Sequence, residues 1–114
     1  MSQHKSTVSL RHMLDHALEA VAMTKGKTRA DLDKDRQLNL AVVRLLEIVG
    51  EAASRIPKEH QARYAGISWS EIISLRNRLI HGYDTVDFDI LLQIVNKDLP
   101  GLIESLRKVL AEES

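Results

Sequence analysis

Cysteine is absent from the 114 residues, so neither disulfides nor thiolate metal sites can contribute to this fold. That fits a reducing compartment. Aromatic side chains make up only 4% of the chain, and proline occurs twice and glycine five times, which argues against a sheet-built or turn-rich architecture. Charge of one sign is missing too. Sixteen basic and sixteen acidic side chains cancel, leaving no global field to gather nucleic acid, so any polyanion must be held by a local patch. The start, Met1 to Lys5, is polar, and no apolar run is long enough for a membrane span or a secretory core. The expected compartment is the cytoplasm.

What is present is 44% hydrophobic residues, mostly Leu, Ile, Val and Ala, a composition that suits helices. At this length one domain over residues 1–114 is expected, burying roughly two thirds of the surface exposed by the unfolded chain. Val8, Leu10, Leu14, Ala17, Leu18 and Val21 recur at three- and four-residue spacing, predicting a helix from about Ser6 to Met23. Lys25-Gly26-Lys27 is the turn after it. His12 and His16 share the polar side of that helix; no third ligand accompanies them, so they are read as a solvated face.

A second helix begins between Arg29 and Asp35 and runs to Arg55, ended by Pro57. Leu38, Leu45 and Ala52, with Val42, Val49 and Ile56, form an apolar seam widened by Val43, Leu46 and Ala53. The stripe is wide enough to pack on the first helix and offer surface to a second subunit. Glu47 and Glu51 on its polar side have Arg44 and Arg55 nearby to pair with, which is favoured over a metal or acid/base role. Lys58 to Gly66 reads as polar and irregular.

A third helix has explicit boundaries. Ser68-Trp69-Ser70-Glu71 has the form of a capping box, with Ile67 and Ile72 at the staple positions, and Gly82 is the natural stop. Ile72, Ile73, Leu75, Leu79 and Ile80 would be its buried stripe, and Trp69 a packing anchor. Asp84-Thr85-Val86-Asp87 then offers two N-caps for a last helix. Its apolar residues, from Phe88 to Val109, keep one phase through Pro100, which predicts one long helix kinked there. Four helices with short connections make an all-α, up-down four-helix bundle.

The stretch richest in chemistry is Arg76-Asn77-Arg78-Leu79-Ile80-His81-Gly82-Tyr83. On a straight helix Asn77 and His81 share a face, but Arg76 and His81, five apart, are separated by roughly 140°. Three arrangements could bring them together: a backbone that leaves ideal geometry near Gly82, a long Arg76 side chain wrapping round, or a second copy of the helix. A purely structural account of the same residues is also available. A His before a terminal Gly often bonds the last carbonyls, basic residues there suit the helix dipole, and a Tyr beyond them often packs.

Arg76-Asn77 to His81, an Arg-x4-His pattern with a polar residue after the Arg, resembles the signature of the HEPN superfamily of all-helical RNases and nucleotide-binding domains. Extended to Tyr83 it is similar to the HepT toxins, as are Leu46 to Ala53, Trp69 to Tyr83 and Asp98-Leu99-Pro100. The resemblance runs from about Leu10 to Leu110. It implies a homodimeric, metal-independent endoribonuclease that requires no cofactor, with Arg76 and His81 catalytic and Asn77 and Arg78 supporting or holding the RNA. Its implied partner is an MntA-like minimal nucleotidyltransferase antitoxin, which silences the toxin by AMPylation of Tyr83. The alternative within the same superfamily is a non-catalytic dimer serving as a nucleotide-binding or adaptor partner of such a transferase.

Overall fold

Helix α3 (Arg36–Ser54) is the element on which the others are laid. Its apolar seam is buried along the full length, from Leu38 through Val42, Leu46 and Val49 to Ala53. The most extensive contact is with α1 (Gln3–Thr24), and α5 (Trp69–Ile73), α6 (Leu75–Leu79) and α2 (Arg29–Lys34) cover the rest. The width of the stripe is therefore used inside the chain, and it supplies no argument for a second subunit. The computed structural model describes residues 1–81 and 85–113.

The first helix is longer than its apolar repeat predicts because Ser2 caps it, its hydroxyl accepting the Lys5 N–H at 3.1 Å. Its core face is Leu10, Met13, Ala17 and Ala20, whereas Leu14, Leu18 and Val21 lie at the edge and Val8 is exposed. The expected second helix is two. Asp35, with extended backbone angles, ends α2 and caps α3 by accepting the Leu38 N–H at 3.0 Å. A capping box does form here, between Thr28 and Asp31. Lys58 to Gly66 is also more ordered than expected: α4 (Lys58–Arg63) buries His60, whose Nδ1 lies 2.5 Å from the buried Ser6 hydroxyl.

The third helix departs furthest from expectation. Ser68 makes no side-chain cap, so the predicted capping box is absent; the Trp69 N–H bonds the Ile67 carbonyl instead, and the indole Nε1–H donates to the Tyr64 carbonyl at 3.1 Å. Trp69 is indeed an anchor against the core. At Ser74 the helix breaks into α5 and α6, and the Ser74 hydroxyl donates to the Glu71 carbonyl, a back-bond that bends helices. Ile67, Ile72, Leu75 and Leu79 are buried, but Ile73 is exposed and Ile80 only half-buried.

Helix α6 stops at Leu79, short of Gly82. Ile80 adopts extended angles, and β1 (Ile80–His81) pairs antiparallel with β2 (Thr85–Val86), Ile80 opposite Val86 and His81 opposite Thr85. The Asp87 N–H then bonds the Leu79 carbonyl at 2.9 Å. Asp87, one of the two expected caps, starts α7 (Phe88–Gln93) by accepting the Asp89 and Ile90 N–H groups. Asp84 lies outside the described residues.

From Phe88 the chain stays helical to Glu112 in α8 (Leu99–Glu112), but the turn Ile94–Asp98 is widened to a π-helix, the Leu99 N–H reaching back to Ile94. Pro100 explains the site of the irregularity. It has no N–H for the carbonyl four residues earlier, so the turn before it opens while the apolar phase continues. Helix α8 packs on α1, and α7 on α2 and α6, completing an all-α bundle with one minimal strand pair.

Candidate functional site

Arg76 projects from the first turn of α6 and is largely exposed, and its Nε–H donates to Glu47 Oε2 on α3 at 3.1 Å. Glu47 is far less exposed, 20% against 66% for Arg76, so the carboxylate belongs to the floor and the guanidinium to the rim. Between α3 and α6 lies a shallow groove lined by Glu47, Gly50, Glu51, Ser54, Ile73, Arg76 and Asn77. Gly50 permits this approach: a Cβ there would stand 3.1 Å from the Ile72 carbonyl oxygen. Glu51 pairs with Arg44 at 3.1 Å, as its sequence position suggested, but the partner of Glu47 is Arg76.

His81 is on β1, not on the helix, so the shared face with Asn77 and the 140° separation from Arg76 do not apply. The backbone leaves helical geometry at Ile80, the residue before His81. Its side chain is 55% exposed, and Nε2 lies 4.0 Å from Asp87 Oδ2, too far for a direct hydrogen bond but close enough to keep a carboxylate beside the ring. Asp87 thus has two duties, one oxygen capping α7 and the other facing the imidazole. Sequence reading saw only the cap, because the proximity to His81 exists only once the hairpin folds.

Arg78 is placed differently. Two positions after Arg76, it points to the opposite side of α6 and forms a half-buried ion pair with Asp98 of the π turn at 2.8 Å. Asn77 is exposed on the groove. The structure thus brings Arg76 and Asn77 to one groove, sets His81 on the adjoining strand with Asp87, and turns Arg78 inward. Tyr83 and Gly82 lie outside the described residues. His12 and His16 are an edge-to-face pair, ring centroids 6.2 Å apart, with His16 Nδ1 2.6 Å from the His12 carbonyl. Among the described residues no group of three or more His, Asp or Glu side chains is arranged to hold a metal ion.

Residues 13–109 match the family model described as ribonuclease HepT-like. The chain belongs to that family. A protein of Caldanaerobacter subterraneus subsp. tengcongensis provisionally named an RNase is 35% identical over 91% of this chain and 93% of its own length. The probable ribonuclease HepT of Thermococcus cleftensis is 36% identical, over 88% of this chain and 97% of its own. A Methanocaldococcus jannaschii protein, named as a gamma-glutamylcyclotransferase and provisional RNase, is 37% identical, and there the match spans 46% of the longer chain. No solved structure matches. These names support a ribonuclease function for a HepT-like chain whose exposed cation and imidazole both fall inside the matched residues.

Proposed function

We propose that this HepT-like chain is a metal-independent endoribonuclease whose reaction is carried by Arg76 and His81. The ribose 2′-oxygen attacks the adjacent phosphorus, the bond to the 5′-oxygen breaks, and the products are a 2′,3′-cyclic phosphate and a 5′-hydroxyl. One proton leaves the 2′-hydroxyl and one reaches the departing 5′-oxygen. His81 serves these transfers because a neutral imidazole can accept a proton on one nitrogen and an imidazolium can donate one. The Arg76 guanidinium holds the phosphate and stabilises charge as the phosphorane forms. Asn77, beside Arg76 on the groove, bonds the substrate, and Arg78 acts through the fold, by tethering α6. The observation that carries this reading is that Arg76 and His81 stand exposed on consecutive elements, in a family of ribonucleases. The chain acts as a homodimer, because two proton transfers are needed and each copy brings one imidazole to this segment.

In the cell the enzyme acts as a toxin, neutralised by a MntA-like nucleotidyltransferase. The Tyr83 phenolic oxygen attacks the α-phosphorus of ATP, pyrophosphate leaves, and the AMP set two residues from His81 competes for Arg76 and blocks RNA. The test uses single-stranded RNA and the purified protein, with and without chelator. His81→Ala should lower cleavage on the order of 10²- to 10⁴-fold, and Arg76→Ala on the order of 10²- to 10³-fold, with circular dichroism unchanged. Chelator should have no effect. A wild-type protein that binds RNA and leaves it intact would transfer the case to a non-catalytic adaptor. Intact mass after coexpression with the transferase tests the switch: wild type should gain adenylate, and Tyr83→Phe should gain none.

A further inference from the structure

Glu47 enters no proton transfer in that scheme, yet its carboxylate is hydrogen-bonded to and ion-paired with the Arg76 guanidinium. The contact is specific in form. Glu47 Oε2 takes the Nε–H at 3.1 Å, whereas an arginine offers five N–H donors, four of them on the terminal nitrogens. The edge formed by those two nitrogens can grip a phosphate with two parallel bonds, and the bond to Glu47 uses Nε and leaves that edge to the groove. Behind Glu47 stands packed structure: it belongs to the middle of α3, one turn before Gly50, where a Cβ would stand 3.1 Å from the Ile72 carbonyl oxygen of α5. A free arginine would have to give up about 2 kcal/mol of rotamer entropy each time it met the phosphorane. One already held by its inner edge has given up part of it in advance.

We infer that Glu47 is a positioning residue for Arg76, holding the guanidinium by Nε so that its terminal nitrogens meet the scissile phosphate as the phosphorane forms. The inference rests on the ribonuclease reading and assigns Glu47 to that same site. Its energetic signature follows from the sign of the charge. A carboxylate beside the phosphate site opposes ground-state binding of RNA, so removing it leaves KM level or lower, while the loss of alignment lowers kcat.

The experiment measures kcat and KM on one single-stranded RNA for wild type, Glu47→Ala and Glu47→Gln, with thermal melts to count folded protein. Glu47→Ala should lose about 10- to 100-fold in kcat, the scale of a misplaced catalytic group, without a rise in KM. Glu47→Gln keeps an acceptor for the Nε–H and should recover most of that loss. Three results would overturn the inference: kcat per folded molecule unchanged in both variants, which makes Glu47 structural; kcat raised, which makes it an inhibitory latch; or an effect on KM alone, which makes it a ligand of RNA. If wild type fails to cut any RNA, the ribonuclease reading falls and takes this one with it; if wild type cuts and both variants match it, only the role of Glu47 is lost.

Discussion

Gly50 bears on the geometry of Arg76 through the helix packing, by letting α3 lie against the Ile72 carbonyl just ahead of α6. A methyl group there would meet the Ile72 and Ile73 carbonyl oxygens at 3.1 and 3.5 Å, and these are backbone atoms that cannot rotate away. Gly50→Ala should therefore be destabilising even though alanine is the better helix former. The gain in propensity is about 0.5–1 kcal/mol, and overpacking costs roughly 1–3 kcal/mol. Urea unfolding should show the lower midpoint. RNA cleavage should fall further than stability does, because α5 moves and α6 with it. An unchanged midpoint would mean that α3 and α5 have slack that the 3.1 Å approach denies.

At the scale of elements, the tether between α6 and the π turn is the ion pair Arg78–Asp98, which is half-buried at both ends. Asp98→Ala should cost about 1 kcal/mol, the upper end for a pair still in reach of water. Arg78→Ala should cost a similar amount, and the double variant little more than either, since both remove one interaction. Additive losses would show that the two side chains stabilise the fold separately. The capping box that does form, Thr28–Asp31, has a pH signature of its own. The Thr28 backbone N–H, followed by its hydroxyl, holds the Asp31 carboxyl below its ordinary value, so this support is present above the usual carboxylate range and fades as pH falls through it.

The same elements show which features a sequence discloses. Periodicity found α1 and the seam of α3 because burial acts on every third and fourth residue, and it followed the last helix through Pro100 because phase survives one widened turn. It overran α6 for a physical reason. Ile80 and His81 fit a helical phase as well as an extended one, and the bond from the Asp87 N–H to the Leu79 carbonyl, which closes the hairpin, joins residues that no local pattern links. Ser68-x-x-Glu71 has the residues of a capping box, but the Trp69 indole is fixed to the Tyr64 carbonyl, and the turn this imposes leaves the Ser68 side chain uncapped. The candidate residues Arg76, Asn77 and His81 were legible as chemical types; Glu47 and Asp87 as their neighbours were not, being 29 and 6 positions away across folded elements.

Across the whole molecule, the two ends of the described chain are joined by side chains. Gln3 Nε2 donates to the Tyr64 hydroxyl at 3.0 Å and to Glu113 Oε2 at 3.2 Å, Tyr64 in turn donates to Glu113, and Arg63 bonds Gln3 Oε1 at 2.6 Å. Burial, and then the bond to Glu113, raise the Tyr64 phenol above its ordinary value of 10.0. A raised value in the folded state means that the contribution is complete below the ordinary value and is lost as pH rises through the shifted one. Stability of the wild type should therefore fall above about pH 10. Tyr64→Phe should be less stable near neutrality and lack that Tyr64-linked part of the alkaline loss, as thermal melts across a pH series would show. An identical alkaline slope in the two proteins would remove Tyr64 as its source.

That knot of hydrogen bonds also bears on connectivity. With Gln3 and Glu113 within bonding distance, a short glycine-serine linker could close the backbone into a ring without disturbing a helix, and the ring could be reopened at the exposed Lys25-Gly26-Lys27 turn. Such a circular permutant would retain the helix-to-helix contacts of the native bundle. The order in which those contacts form would change, because α1, now separated from α3 only by α2 and its turns, would move to the opposite end of the chain. The contact between them, the largest in the molecule, would then close last and most slowly, so the rearranged protein should fold later to the same structure.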